Sequence, residues 1–154
     1  MKRFAGPVLL VVAFLAWFWI TRDATQANSG GRPIVKERLT MMKGLAAEMK
    51  TLRLMVQKKK PFDGERGAQA AIRIADGGSR IPDLFPRESV TDLTRAKSRI
   101  HDDWDRFSEL AGNMRDEATH LADAVRKKDL AGVAAYFQGL SDSCKACHRE
   151  FRRP

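Results

Sequence analysis

The strongest constraint on this 154-residue chain is a short run near its C-terminal end, Cys144-Lys145-Ala146-Cys147-His148. Two thiols three positions apart can each add to one vinyl group of a porphyrin, and a histidine directly after the second thiol is then held beneath the iron as an axial ligand. These are the only two cysteines in the sequence. The run therefore predicts one covalent haem c, attached through Cys144 and Cys147, with His148 as the proximal iron ligand.

Three other uses of a Cys-x-x-Cys pair agree less well with the sequence. A redox pair of the thioredoxin kind belongs beside a βαβ unit, whereas the residues around these cysteines have helical periodicity. A zinc site needs a second Cys/His cluster to complete four ligands, and the sequence has none. Two cysteines three apart on one helix also match disulfide geometry poorly. Covalent haem is therefore the preferred interpretation.

The first 23 residues have the pattern of an export signal. Lys2 and Arg3 precede an apolar run over residues 4–20, and Trp17-Phe18-Trp19 at its far end resembles an interfacial aromatic belt. We expect a signal peptide or, preferably, an uncleaved signal anchor in the inner membrane, followed by a linker over residues 24–33. The only tolerable cleavage point is near Ala27. Either outcome places the rest of the chain in the periplasm, where c-type haem attachment takes place.

Residues 34–154 are predicted to form one all-α domain, an antiparallel four-helix bundle. Strand signals are almost absent after the export segment, whereas apolar residues recur at spacings of three and four. The last helix would place Cys144 and His148 on the same face as its apolar stripe. The expected limits are Pro33 to the lysines before Pro61, Asp63 as N-cap to Gly77-Gly78, Ser89 or Thr91 to Val125, and Asp129 as N-cap to Phe151.

Several motifs accompany the attachment run. The most specific are Arg152 one turn after His148 and the first-helix string Arg38-Leu39-Thr40-Met41-Met42-Lys43. The loop Leu84-Phe85-Pro86 and the aromatic residues Trp104 and Phe107 accompany them. With these motifs, residues 34–153 resemble the cytochrome c-prime family, the class II c-type cytochromes. The resemblance implies a four-helix bundle with the haem attached to its last helix.

The resemblance also implies roles for individual side chains. It places Arg38 and Arg152 near the haem propionates, although in so basic a chain either could equally be a plain surface charge. It places Met42, four residues after Arg38, on the distal side of the iron. Methionine at this position binds iron in the low-spin branch of the family, whereas a bulky non-ligand leaves the iron five-coordinate in gas-binding members. We therefore predict Met42 as the sixth ligand.

Other methionines and histidines are weaker candidates for iron ligation. Met41 lies about 100° round the helix from Met42, and Met49 lies about two turns further along. Met42 itself could be ordinary core packing, since methionine is a common filler of apolar cores. His101 and His120 could form a bis-histidine pair in principle, but both fall just off the third-helix stripe. We expect them to be surface histidines.

The predicted function is single-electron transfer through a His/Met-ligated haem, and the alternative is a five-coordinate haem that binds NO or CO. No side-chain arrangement suggests catalysis, so an enzyme is not expected. The net charge of +9 favours redox partners with acidic surfaces or an anionic membrane surface, and nucleic acid is implausible in the periplasm. Homodimerisation through the first two helices is common in the family that the chain resembles.

Overall fold

The computed structural model describes residues 33–154, which form a four-helix bundle. Its long helices are antiparallel neighbours joined by short turns, except for an irregular connection between the second and third long helices. Within these residues no helix is long and apolar enough to cross a membrane. The helices are α1 (33–56), α2 (Gly64–Arg80), α3 (Arg99–Asp102), α4 (Trp104–Arg126) and α5 (Leu130–Phe151).

The predicted export segment over residues 1–23 lies outside the described residues. So does the linker, apart from Pro33, which is the first residue of α1. Both stay predictions.

Helices α2 and α5 begin at the capping residues that the sequence predicts. The Asp63 carboxylate accepts a hydrogen bond from the Arg66 amide at 2.9 Å, and Asp129 accepts one from the Gly132 amide at 3.0 Å. Each bond satisfies an amide that has no partner within the first helical turn. Both predicted N-caps are therefore confirmed, and they fix where α2 and α5 begin.

The centre of the bundle is an apolar layer between the four long helices, to which α1 contributes the buried Leu52. The inner face of α4 is almost continuously buried, whereas α2 contributes mainly small side chains. Leu140 and Val133 cover the layer from α5. Burial of these side chains is the main stabilising term in the fold. The largest buried members of the layer are Phe107, Ile74, Leu121, Leu140 and Val125.

The third predicted helix is wrong at its start, because residues 90–98 form an irregular segment rather than helix. Its backbone pairs with the C-terminal tail instead: the Lys97 amide donates to the Phe151 carbonyl at 2.9 Å, and the Arg153 amide donates to Arg95 at 2.7 Å. These long-range hydrogen bonds use backbone groups of residues 95–97 that would otherwise pair within a helix. Leu93, expected on the apolar stripe, is 98% exposed. Helical structure in this region begins only at Arg99.

Candidate functional site

One end of the bundle encloses a cavity of about 590 Å³ between α1, the C-terminal part of α5 and the connection 81–100. This volume lies within the range of about 300–1,000 Å³ that is typical of small-molecule sites. The wall is mostly apolar, with a minority of polar lining groups. The principal apolar lining residues are Val35, Leu39, Ile81, Phe85, Ile100, Phe107 and Phe151.

Helix α5 brings the haem-attachment motif to this cavity. Cys147 and His148 line it directly, and Cys144, one turn earlier, is half-buried against the core without lining the cavity. The end of the helix is fixed by Lys97, whose Nζ donates to the Arg149 and Glu150 carbonyls at 3.1 Å each. The bonds occupy carbonyls that the last helical turn leaves free. The three motif side chains are therefore held on an anchored helix end.

The local environment sets the protonation of the motif. Burial, followed by the proximity of Cys144 and Glu150, raises the pKa of Cys147 to about 11, and burial also raises the pKa of Cys144. Desolvation, followed by the charges of Arg152 and Arg95, lowers the pKa of His148. A neutral imidazole is the form that binds a metal, so these surroundings favour His148 as a ligand.

The methionines of α1 differ in their relation to the cavity. Met42 is half-buried and lines it, whereas Met41 and Met49 pack against the core and do not belong to the described lining. Residues 41 and 42 differ by about 100° in direction on a helix, which explains why only one of two neighbours faces the cavity. The register predicted for Met42 therefore places it in the same cavity as His148.

Arg38 also lines the cavity, and it is the most deeply buried charged side chain described, at 5% exposure. Its guanidinium donates to the Leu84 carbonyl at 3.2 Å and to the hydroxyl and carbonyl oxygens of Ser89 at 3.3 Å each. The same group lies 4.3 Å from the centre of the Phe85 ring. Arg38 thus ties α1 to the connection that closes the cavity.

The predicted propionate role of Arg38 stays a prediction, and its contact with Ser89 was not foreseen. The sequence offered only a serine close to two prolines as a signal, and this did not identify a partner about fifty residues away. Arg152, the other predicted propionate neighbour, is exposed at the end of α5 and also lines the cavity.

Neither candidate histidine of the third long helical region contributes to the described cavity wall. His120 is exposed, with its ring centre 5.2 Å from that of Tyr136. His101 differs from the expected surface residue, because it is half-buried and stacks on Trp104 with ring centres 6.1 Å apart. Its Nε2 is buried and has no hydrogen-bond partner among the described residues. A bis-histidine site gains no support from this placement.

The donor set and its surroundings fit a covalently attached porphyrin. Two thiols and an imidazole come from the anchored end of α5, a thioether comes from α1, and the wall between them is apolar. Arg38, Arg95 and Arg152 also line the cavity, where their charges could neutralise the carboxylates of a porphyrin. Fold and site together define a c-type haem protein of the four-helix-bundle class.

Comparison with known proteins gives the same class. Residues 33–152 match the family model for cytochrome C'. The chain belongs to the cytochrome c' family. It is 32% identical over 118 residues to cytochrome c-556 of Agrobacterium tumefaciens, covering 77% of this chain and 95% of the relative. It is 29% identical over 153 residues to cytochrome c' of Rhodospirillum rubrum, covering 99% of each.

Solved structures share the fold. Cytochrome c prime from Shewanella frigidimarina superposes with a TM-score of 0.75 at 23% identity, over 80% of this chain and 97% of the other. A nitric oxide complex of a variant of cytochrome c prime from Alcaligenes xylosoxidans gives 0.73 at 21% identity, over 80% and 97%.

Family membership confirms the predicted four-helix bundle and the covalent haem c with its iron. The chain is thus a c-type haem protein for electron transfer or for binding NO or CO. Membership also agrees with the periplasmic location predicted from the export segment.

Proposed function

We propose that this protein is a periplasmic carrier of single electrons, with His148 and Met42 as the two axial ligands of its haem iron. One observation carries the proposal: Met42 from α1 and His148 from α5 line the same cavity, whereas the neighbouring Met41 does not. A thioether supplied by the opposite helix would fill the position that a five-coordinate haem leaves open. The predicted low-spin branch of the family rests on this assignment.

In such a carrier, the residues around the cavity would have separate roles. When bound, the haem supplies one-electron exchange at its iron. Cys144 and Cys147 would fix it to α5, His148 and Met42 would hold the iron, and the apolar wall would surround the porphyrin. Ligation by Met and His raises the reduction potential relative to ligation by two nitrogens. With both axial positions filled by the chain, no coordination position remains for a substrate, so we propose a carrier rather than an enzyme.

A five-coordinate haem that binds NO or CO is the second candidate. The α1 side of the cavity is lined by Leu39, Lys43 and Ala46, which are all exposed. A diatomic ligand could therefore enter next to Met42. Relatives of the same fold include proteins solved as nitric oxide complexes. In this alternative, Met42 covers the iron without binding it.

Replacing Met42 separates the two candidates. The carrier model expects the reduced holoprotein to be low-spin, with a visible spectrum that changes little when CO is added. In Met42→Ala the sixth position would be free, so the spectrum should become high-spin and shift on CO addition. Met41→Ala is the matched control, because it removes a neighbouring thioether that does not line the cavity, and its spectrum should remain that of the parent.

Two results would contradict the carrier model. The first is a high-spin, CO-responsive spectrum of the unmodified protein, which would favour gas binding. The second is conversion by Met41→Ala instead of Met42→Ala, which would show that the helix register is wrong.

A further inference from the structure

A groove lined by cations lies beside the haem cavity, at the C-terminal end of α5. Two residues, His148 and Arg152, line both the cavity and the groove, so the two features share a wall at the proximal iron ligand. The groove therefore adjoins the haem cavity on the side of His148. Its remaining lining residues are Lys97, Lys145, Arg149, Arg153 and Pro154.

Carboxylates of the described chain neutralise only part of this charge. Lys145 pairs with Asp142 at 3.0 Å and Arg153 with Asp92 at 3.2 Å. Arg149 and Arg152 form no ion pair with any described residue. Lys97 donates its hydrogen bonds to backbone carbonyls, and because these are neutral they do not offset its positive charge. The groove is thus a surface of net positive charge that is only partly neutralised by described carboxylates.

We propose that this basic groove is the docking surface for an acidic redox protein, which exchanges electrons with the haem across the edge next to His148. The inference rests on the proposed carrier function and names the partner's chemistry and its binding site. Cations around a concave site concentrate an anionic partner and orient it on approach. A cluster of carboxylates on the partner would supply the counter-charges that Arg149 and Lys97 do not find among the described carboxylates.

The composition of the groove favours a protein over a lipid surface. Segments that bind a membrane interface combine basic residues with large apolar side chains that enter the acyl region. None of the described groove-lining residues is a large apolar side chain. A surface of arginines and lysines without an apolar anchor suits a transient polar complex between two proteins, of the kind formed by electron carriers.

Charge reversal within the groove tests the proposal. Lys145 and Arg149 are exposed and lie one turn apart on α5, and neither lines the haem cavity. The double variant K145E/R149E of the holoprotein is compared with the parent for binding to a strongly acidic plant-type ferredoxin, both proteins oxidised, by calorimetric titration. We expect the dissociation constant to rise on the order of tenfold, and its dependence on salt to become weaker.

The control is K59E/K60E, which changes the net charge by the same amount at the opposite end of the bundle. Both lysines are exposed in the turn after α1. A helix of this length spans about 35 Å, several times the Debye length of about 10 Å in 0.1 M salt. The control should therefore bind nearly as the parent does. Equal weakening in the two variants would overturn the docking surface, because only the total charge would then matter.

A second measurement distinguishes failure of the surface from failure of the carrier function. Reduced ferredoxin gives one electron to the ferric haem, which becomes ferrous as the ferredoxin is oxidised, and the rate is followed by stopped flow. If transfer is fast and has the same rate in K145E/R149E and the parent, the groove is not the docking surface, but the proposed carrier function still holds. If the parent transfers no electron and its spectrum responds to CO, both the docking role of the groove and the proposed carrier function are wrong.

A third measurement uses anionic phospholipid vesicles. If the protein binds these vesicles through Lys145 and Arg149 and does not bind ferredoxin, the groove is a membrane-binding surface instead.

Discussion

At the scale of single residues, Glu48 links α1 to α2 through two arginines. Its carboxylate lies 2.7 Å from Arg66 and 2.7 Å from Arg73, and its side chain is 16% exposed. Burial alone would raise the pKa of Glu48, but the hydrogen bonds and charges of Arg73 and Arg66 outweigh it, so the pKa is lowered. The folded state therefore holds this carboxylate in its charged form more strongly than the unfolded chain does.

This shift predicts an acid-dependent contribution to stability. A lowered folded-state pKa gives stability that is fully present above the unfolded value of about 4.5 and is lost as the pH falls through the folded value. Because the arginines are well exposed, Glu48→Gln should cost only about 1 kcal/mol at pH 7. The loss should shrink below pH about 4.5. Urea unfolding across this pH range measures both effects.

Glu88→Gln is the comparison for this prediction, since Glu88 is exposed and forms no ion pair with a described residue. A cost for Glu48→Gln that is the same at pH 3 and pH 7 would show that the ion pairs do not explain the effect.

At the scale of elements, the packing of α2 on α4 depends on a glycine. A Cβ at Gly78 would lie 3.0 Å from the Arg115 amide nitrogen and 3.1 Å from the Ala111 carbonyl oxygen. These are backbone atoms of α4, so a methyl group can be accommodated only by moving one helix away from the other. The close approach of the two helices at this point requires the absence of a side chain.

Gly78→Ala should therefore destabilise the protein by about 1–3 kcal/mol, as over-packing of a filled interior usually does. Gly44 offers a matched control on α1, because a Cβ there has no neighbour within 4 Å. Gly44→Ala should stabilise by about 0.5–1 kcal/mol through the helix preference of alanine. Chemical denaturation of the two holoprotein variants gives both values, and a stabilising Gly78→Ala would refute the packing argument.

At the scale of the whole molecule, the cavity of about 590 Å³ makes the fold dependent on its cofactor. Without haem, the apolar wall formed by residues such as Phe85, Phe107 and Phe151 faces water or must collapse. A group that binds only the folded state stabilises that state by its binding free energy.

The variant C144S/C147S, purified without haem, should therefore unfold at least about 10 °C below the holoprotein, since 1 kcal/mol corresponds to about 4–8 °C in a domain of similar size. Far-ultraviolet circular dichroism follows the transition. Ser143→Ala, which changes a nearby residue of α5 without removing a thiol, should keep its haem and its unfolding temperature. Equal transitions in C144S/C147S and the holoprotein would contradict the dependence on haem.

Predictions from sequence succeeded where the physical cause is local. The N-caps Asp63 and Asp129 accept hydrogen bonds from amides three residues away, and the attachment motif spans only five residues. Each feature can therefore be predicted from a few neighbouring residues. The connection between α2 and α4 was not predictable in this way. Its apolar spacing suggested helix, but pairing of residues 95–97 with the C-terminal tail, more than fifty positions away, decided its path.

The sequence by itself therefore determined the cofactor, the helical class and the ends of two helices, because those depend on spacing and on neighbours within a few residues. Only the tertiary structure decided which methionine shares a cavity with His148, what the buried Arg38 binds, and that a group of cations lies beside the haem cavity at the C-terminal end of α5. These depend on how distant segments come together, as Arg38 does with Leu84 and Ser89 across 46 and 51 residues, and no local pattern encodes that.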